Sequence, residues 1–221
     1  MVSSTVVPET LRLEGGAGAI EALLEVPAGS VTPRAVAVCC HPHPLYGGAL
    51  TNKVIHTVAR AFVAAGVPAL RFNFRGVGAS EGVHDEGRGV TDDLLAVAAW
   101  ARQRFPGAEL WLAGFSFGAW ISLRAAARLS PRRLVSVAPP VGRWDFADIV
   151  RPDCPWLLVQ GTADELLDAA VVEAWARALS PDVQVVSLSG ASHFFHGRLH
   201  ELQDAVTAFA SGAAPVQAYI E

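Results

Sequence analysis

A chain of 221 residues that is 52% hydrophobic can bury a sizeable core, yet its apolar runs are broken by charged residues or glycine well before the roughly 18 residues that a membrane span needs. Its net charge is −4, and the cations are scattered arginines with a single lysine, Lys53, so no basic patch points to nucleic acid. Lys53 follows Asn52 rather than glycine, which removes a Walker A loop, and Glu81 stands where a fingerprint begun by Gly76-x-Gly78 needs its third glycine.

In chain order, residues 10–13 and 20–26 flank the glycine-rich 14–18 and predict a hairpin. Residues 35–40 form a continuous apolar run, the pattern of a strand covered on both faces. A loop of His41-Pro-His-Pro-Leu-Tyr-Gly-Gly48 leads to a helical period over 52–65, ended by Gly66. Residues 67–74 read as a strand and run into an acidic loop through Asp85 and Glu86. A helix follows over about 91–105, with Thr91 or Asp92 near its N-cap. Further strands are expected at 110–115, 134–137, 156–160 and 183–188, and helices at 117–129, 168–179 and 198–210. This alternation predicts a mainly parallel sheet of about eight strands with helices on both faces and an antiparallel N-terminal hairpin. No linker interrupts it, so residues 1–221 read as one domain.

Cys39, Cys40 and Cys154 are odd in number, and two are adjacent inside an apolar strand, which suits free thiols in a reducing compartment. The first ten residues show neither the basic nor the apolar region of a secretory signal, so a cytoplasmic location is expected.

Residues 110–118 carry the chemistry. An apolar strand runs straight into Gly114-Phe115-Ser116-Phe117-Gly118, a G-x-S-x-G elbow in which small residues two before and two after the serine permit a tight turn from strand to helix. The pattern occurs again at Gly78-Ala79-Ser80-Glu81-Gly82, but without a strand directly before it or a helix after it. Ser116 is therefore the expected nucleophile. In an open α/β sheet its partners belong on loops beyond the carboxyl ends of strands. Asp164 follows the strand ending at 160, and His193 follows the one ending at 188. Asp168 and Asp182 are alternative acids, but a helix start and a turn account for them.

The order Ser, Asp, His, the stretch His43-Pro-Leu-Tyr-Gly-Gly48, the segment Arg71-Phe-Asn-Phe-Arg-Gly-Val-Gly-Ala-Ser80, Gly161-x-x-Asp164 and Ser192-His193 together resemble the α/β-hydrolase superfamily. Nearly the whole chain takes part in the likeness. It is closest in kind to the small lidless members akin to dienelactone hydrolases and acyl-peptidase-like esterases. The resemblance implies an α/β-hydrolase fold with Ser116, Asp164 and His193 as a catalytic triad. It implies an oxyanion hole formed by the N–H of Phe117 and a second donor from the 41–48 loop. Aligning His43-Pro44-Leu45 with the His-Gly-x of related enzymes gives Leu45, with Tyr46 and His43 as alternatives; the prolines have no N–H. Pro44 in place of the usual glycine alters the shape of this loop.

Fewer than twenty residues separate the strands at 134–137 and 156–160, which leaves no room for a cap domain. Tyr46, Trp144, Phe146 and Phe194 could line an open apolar acyl site, or simply pack the loops down. His41, His43, His193, His196 and His200 lack the carboxylate or cysteine company of a metal site, so neither a metal nor a cofactor is expected. Arg75 and Asp85 read as residues that fix their loop. The expected activity is cleavage of a small ester or thioester through an acyl-enzyme. The alternatives are hydrolysis of short peptides and an idle fold that binds a ligand.

Overall fold

A computed structural model describes residues 6–213 except Glu86 and Arg88. Eight strands form one sheet: β1 (Val7–Gly15), β2 (Gly18–Val26), β3 (Ala35–Cys40), β4 (Ala69–Phe72), β5 (Glu109–Phe115), β6 (Arg133–Val137), β7 (Trp156–Gly161) and β8 (Gln184–Leu188). Their spatial order is β1-β2-β4-β3-β5-β6-β7-β8. The pairs β1–β2 and β2–β4 are antiparallel and the rest are parallel.

The helices are α1 (Lys53–Ala64), α2 (Val90–Arg104), α3 (Phe117–Leu129), α4 (Ala169–Leu179) and α5 (Leu199–Ser211). α1 packs on α5 and α2 on α3, so the parallel strands are covered on both faces. Every residue of β3 and β4 is buried as a result. The buried apolar side chains form one continuous cluster. Among the described residues, no helix is long and apolar enough to cross a membrane.

The hairpin is longer than its apolar pattern suggests. Its register runs without a break to Gly15↔Gly18 and closes on two residues, so glycines that read as a spacer are the last pair of the ladder. β4 is shorter than 67–74 because Pro68 offers no N–H and pairing starts at Ala69.

The start of α2 also differs. Gly89, not Thr91 or Asp92, is its N-cap, and no side chain caps it. Thr91 is buried, and the Asp93 carboxylate accepts from the backbone N–H and guanidinium of Arg75 at 2.7 to 3.1 Å. That ion pair, with Asp85 and the Gly89 carbonyl, holds the 75–89 loop on the helix and draws Arg75's pKa upward. Glu86, expected in the same loop, lies outside the described residues.

After β3 the chain turns one way to β4, and β5 lies on the other side of β3. This reversal opens a crevice beyond the carboxyl ends of β3 and β5, where open α/β sheets hold their ligands.

Candidate active site

Ser116 stands at the tip of that crevice with φ 52° and ψ −118°, a backbone conformation that costs a non-glycine residue about 1–3 kcal/mol. Its neighbours hold it there. Its N–H donates to the Val137 carbonyl at 2.9 Å, and its own carbonyl accepts from Ala119 and Trp120 in the first turn of α3. Phe117 opens α3, so its N–H has no partner within the helix and faces the helix entrance. The Phe117 ring is buried and makes edge contacts with Phe74, Trp144 and His43.

Asp164 and His193 meet at the carboxyl ends of β7 and β8, with 2.8 Å between Asp164 Oδ2 and His193 Nδ1 and both side chains almost fully buried. Gln160 Nε2 also donates to Oδ2, while Oδ1 accepts from the N–H groups of Leu166 and Leu167. Burial alone would raise the Asp164 carboxyl. The bonds from His193, Leu166 and Gln160 outweigh it and hold the group below its ordinary range, so it is an anion at neutral pH.

The two loops are sewn together. Thr162 N–H donates to the Leu188 carbonyl, Ala163 N–H to that of Ala191, and Gly190 N–H to the Thr162 hydroxyl. Glu165 accepts from the backbone N–H of His193, which lowers its own pKa. The sequence reading missed this carboxylate, since it follows another acid in a loop with no periodic signal.

His41 lies at the base of the 41–48 loop. Its Nε2 accepts from the Phe74 N–H at 3.1 Å, so Nδ1 carries the proton and donates to the Pro42 carbonyl at 2.6 Å. Burial pushes its pKa down to about 4.

Pro44–Tyr46 form a single 3₁₀ turn. Leu45, the expected second oxyanion donor, gives its N–H to His43 Nδ1 at 3.2 Å, and its side chain is exposed. The N–H groups of Tyr46 and Gly48 go to the His43 carbonyl, and that of Gly47 goes to Pro44. The His43 N–H donates to none of the described residues.

Ser116 and His193 line the same cavity, of about 330 Å³. His43, Tyr46, Phe117 and Trp144 give it aromatic surface, while Pro140, Leu166 and Leu167 give it aliphatic surface. Of the expected pocket residues, Tyr46 and Trp144 are therefore at the cavity. Phe146 is not among its lining residues and packs edge-on against Trp175. Phe194 is 40% exposed and touches the rings of Phe115 and His193 from outside the lining. Arg143, Leu166 and Leu167 line the cavity but carried no sequence signal, because irregular loops bring them there.

The remaining sequence expectations find ordinary structural places. Ser80 is buried, donates to the Asn73 carbonyl and accepts from the Glu21 N–H. Asp168 caps α4, and Asp182 pairs with Arg151 at the surface. Among the described residues, no three His, Cys, Asp or Glu side chains gather as a metal site. Cys39 and Cys40 are buried free thiols, and burial pushes the Cys39 pKa up to about 12.

A family model described as serine aminopeptidase, S33, matches residues 32–152, more than half of the chain. The chain belongs to this family. The matched segment includes the 41–48 loop and the serine elbow, and Asp164 and His193 lie beyond it. The crystal structure of XC6422 from Xanthomonas campestris, an α/β serine hydrolase without a lid, is 43% identical with a TM-score of 0.87 over 94% of this chain and 97% of that one. An α/β serine hydrolase homologue from Coxiella burnetii is 43% identical, with a TM-score of 0.86 over 91% and 96%. The uncharacterized protein RP471 of Rickettsia prowazekii (strain Madrid E) is 34% identical over 190 residues, 81% of this chain and 80% of that protein. The protein is thus a small lidless α/β hydrolase, and its structure agrees: residues 138–155, between β6 and β7, contain no helix.

Proposed function

We propose that the protein is a serine hydrolase that cleaves small carboxylic esters or thioesters through an acyl-enzyme on Ser116. One observation carries this reading: a strained serine elbow opens into the same cavity as a histidine whose Nδ1 is held by a buried, anionic Asp164.

Asp164 fixes the Nδ1–H tautomer of His193 and leaves Nε2 to take the proton of the Ser116 hydroxyl as its oxygen attacks the carbonyl carbon. The resulting imidazolium returns that proton to the departing alcohol or thiol. Water activated by the same nitrogen then releases the acid and frees Ser116. The Phe117 N–H is one donor to the oxyanion. We assign the second to the His43 N–H rather than to Leu45, whose N–H is already held by the His43 ring.

A fluorophosphonate probe tests the nucleophile. It should label the wild type and spare Ser116→Ala, and an unlabelled wild type would sink the proposal. Ser116→Ala should also lower kcat by about 10⁴-fold or more.

The family description favours a second reading, removal of N-terminal residues from peptides. An aminopeptidase needs a carboxylate or similar acceptor for the substrate's ammonium, and among the described residues no Asp or Glu lines the cavity. Faster turnover of aminoacyl-anilides than of matched p-nitrophenyl esters would nevertheless decide for the peptidase.

A further inference from the structure

Among the described residues, the charge lining this cavity has one sign: the ionisable side chains are His43, Tyr46, His193 and Arg143, with no carboxylate among them. Burial and the nearby His84 push His43 down to about 4, so it is neutral at pH 7. Among the described residues, the guanidinium of Arg143 is then the one permanent charge in the lining.

Arg143 is also held in place from both ends. Its backbone belongs to a tight turn in which the N–H groups of Arg143 and Trp144 both donate to the Pro140 carbonyl, and Gly142 supplies a φ of 81°. Its Nε donates to the Leu166 carbonyl at 2.8 Å, which ties the side chain to the loop whose N–H groups hold Asp164. A guanidinium anchored through Nε keeps both Nη groups as a planar fork, the geometry that takes a carboxylate with two parallel hydrogen bonds. Among the described residues, Arg143 pairs with no Asp or Glu. The chain's other cavity-facing chemistry does not need this cation, because oxyanion stabilisation falls to backbone N–H groups.

Resting on the hydrolase reading of Ser116, we propose that Arg143 is the specificity-determining residue of this site and that it selects esters bearing a second, free carboxylate. The half-esters of short dicarboxylic acids and the O-acyl esters of small hydroxy- or hydroxyaryl-carboxylic acids, whose own carboxylate stays free, are the substrate class. The Arg143 fork receives the free carboxylate, and the aromatic and aliphatic surfaces of the cavity take the carbon chain between it and the scissile carbonyl. Because Arg143 is solvent-exposed, water and salt screen the pair, and a preference of about five- to tenfold is the expected scale.

Two matched substrate pairs test this. One is mono-4-nitrophenyl adipate against 4-nitrophenyl methyl adipate, with the carboxylate on the acyl side. The other is 4-acetoxyphenylacetate against its methyl ester, with the carboxylate on the leaving side. The wild type should favour the carboxylate member of at least one pair by about five- to tenfold in kcat/KM. That ratio should fall to about one in Arg143→Gln, keep an intermediate value in Arg143→Lys, and shrink as ionic strength rises. Equal kcat/KM within both pairs, or a preference that survives Arg143→Gln, would overturn the inference. Fluorophosphonate labelling of the same wild-type sample separates the two failures. A labelled enzyme with no preference defeats the role of Arg143 alone, whereas an unlabelled one defeats the hydrolase reading and this inference with it.

Discussion

His41 carries two backbone hydrogen bonds on a ring that water does not reach, and it joins the 41–48 loop to the segment after β4. The folded ring stays neutral down to about pH 4, while the unfolded chain takes up a proton near 6.5. Between those values the unfolded state binds more protons. Stability from this group is therefore complete above pH 6.5 and lost as pH falls toward 4, a change on the order of 3 kcal/mol. His43 shares the direction and the cause, but it is half-exposed, so its share is smaller. Replacing His41 by glutamine should cost about 2–3 kcal/mol at pH 7.5, because the Phe74 N–H or the Pro42 carbonyl loses a well-placed partner. Urea unfolding followed from pH 7.5 to 4 should then show the wild-type and His41→Gln curves converging. Parallel curves would mean that the His41 proton is not what acid reaches.

Two glycines set the geometry of the β5–α3 elbow. A Cβ on Gly114 would lie 2.1 Å from the Gly118 carbonyl oxygen, and one on Gly118 would lie 2.2 Å from that of Cys40 on β3. Neither neighbour is a flexible side-chain tip, so an added methyl group must push α3 away from β3 and β5. Gly118→Ala should destabilise the fold by more than about 3 kcal/mol, while Gly16→Ala at the hairpin turn, where a Cβ meets nothing within 4 Å, should change stability by less than about 0.5 kcal/mol. Thermal unfolding of the two variants checks this, and a wild-type-like Tm for Gly118→Ala would contradict the close packing described. The elbow was legible in sequence because a tight turn restricts which residues can stand there, as an apolar run did for β3. Cap and pocket positions were not restricted in this way. The start of α2 depends on whether Arg75 reaches Asp93, the fate of the Leu45 N–H on the rotamer of His43, and the place of Arg143 on how two irregular loops meet. Each of these is a contact between distant segments that no local period encodes.

Across the whole molecule, the candidate site and an anchorage of α5 lie at opposite ends of the sheet. Ser116, Asp164 and His193 follow the carboxyl ends of β5, β7 and β8, whereas Arg34 precedes β3 and Arg133 opens β6 at their amino ends. Both arginines stack over Trp111, and both donate to the last turn of α5, Arg34 to the Ala210 carbonyl and Arg133 to that of Phe209, each at 2.8 Å. The last carbonyls of a helix form the negative end of its dipole, and although the Phe209 carbonyl also accepts from the Gly212 N–H at 3.2 Å, the two guanidinium groups add charge-assisted bonds and the matching charge there. α5 begins just after the His193 loop and packs along α1, which makes this clamp the far anchor of the segment that carries His193. Replacing both arginines by methionine keeps much of their length over Trp111 but removes the bonds and charges. The double variant should lose about 2–4 kcal/mol in urea unfolding, taking each partly buried, charge-assisted bond at about 1–2 kcal/mol. Its kcat/KM on a p-nitrophenyl ester at 25 °C should stay within about twofold of wild type, because the Asp164–His193 pair is fixed locally by bonds between the two loops and not through the length of α5. A drop in activity that tracks the loss of stability would instead mean that α5 transmits strain to His193, and that the two ends of the sheet are mechanically one.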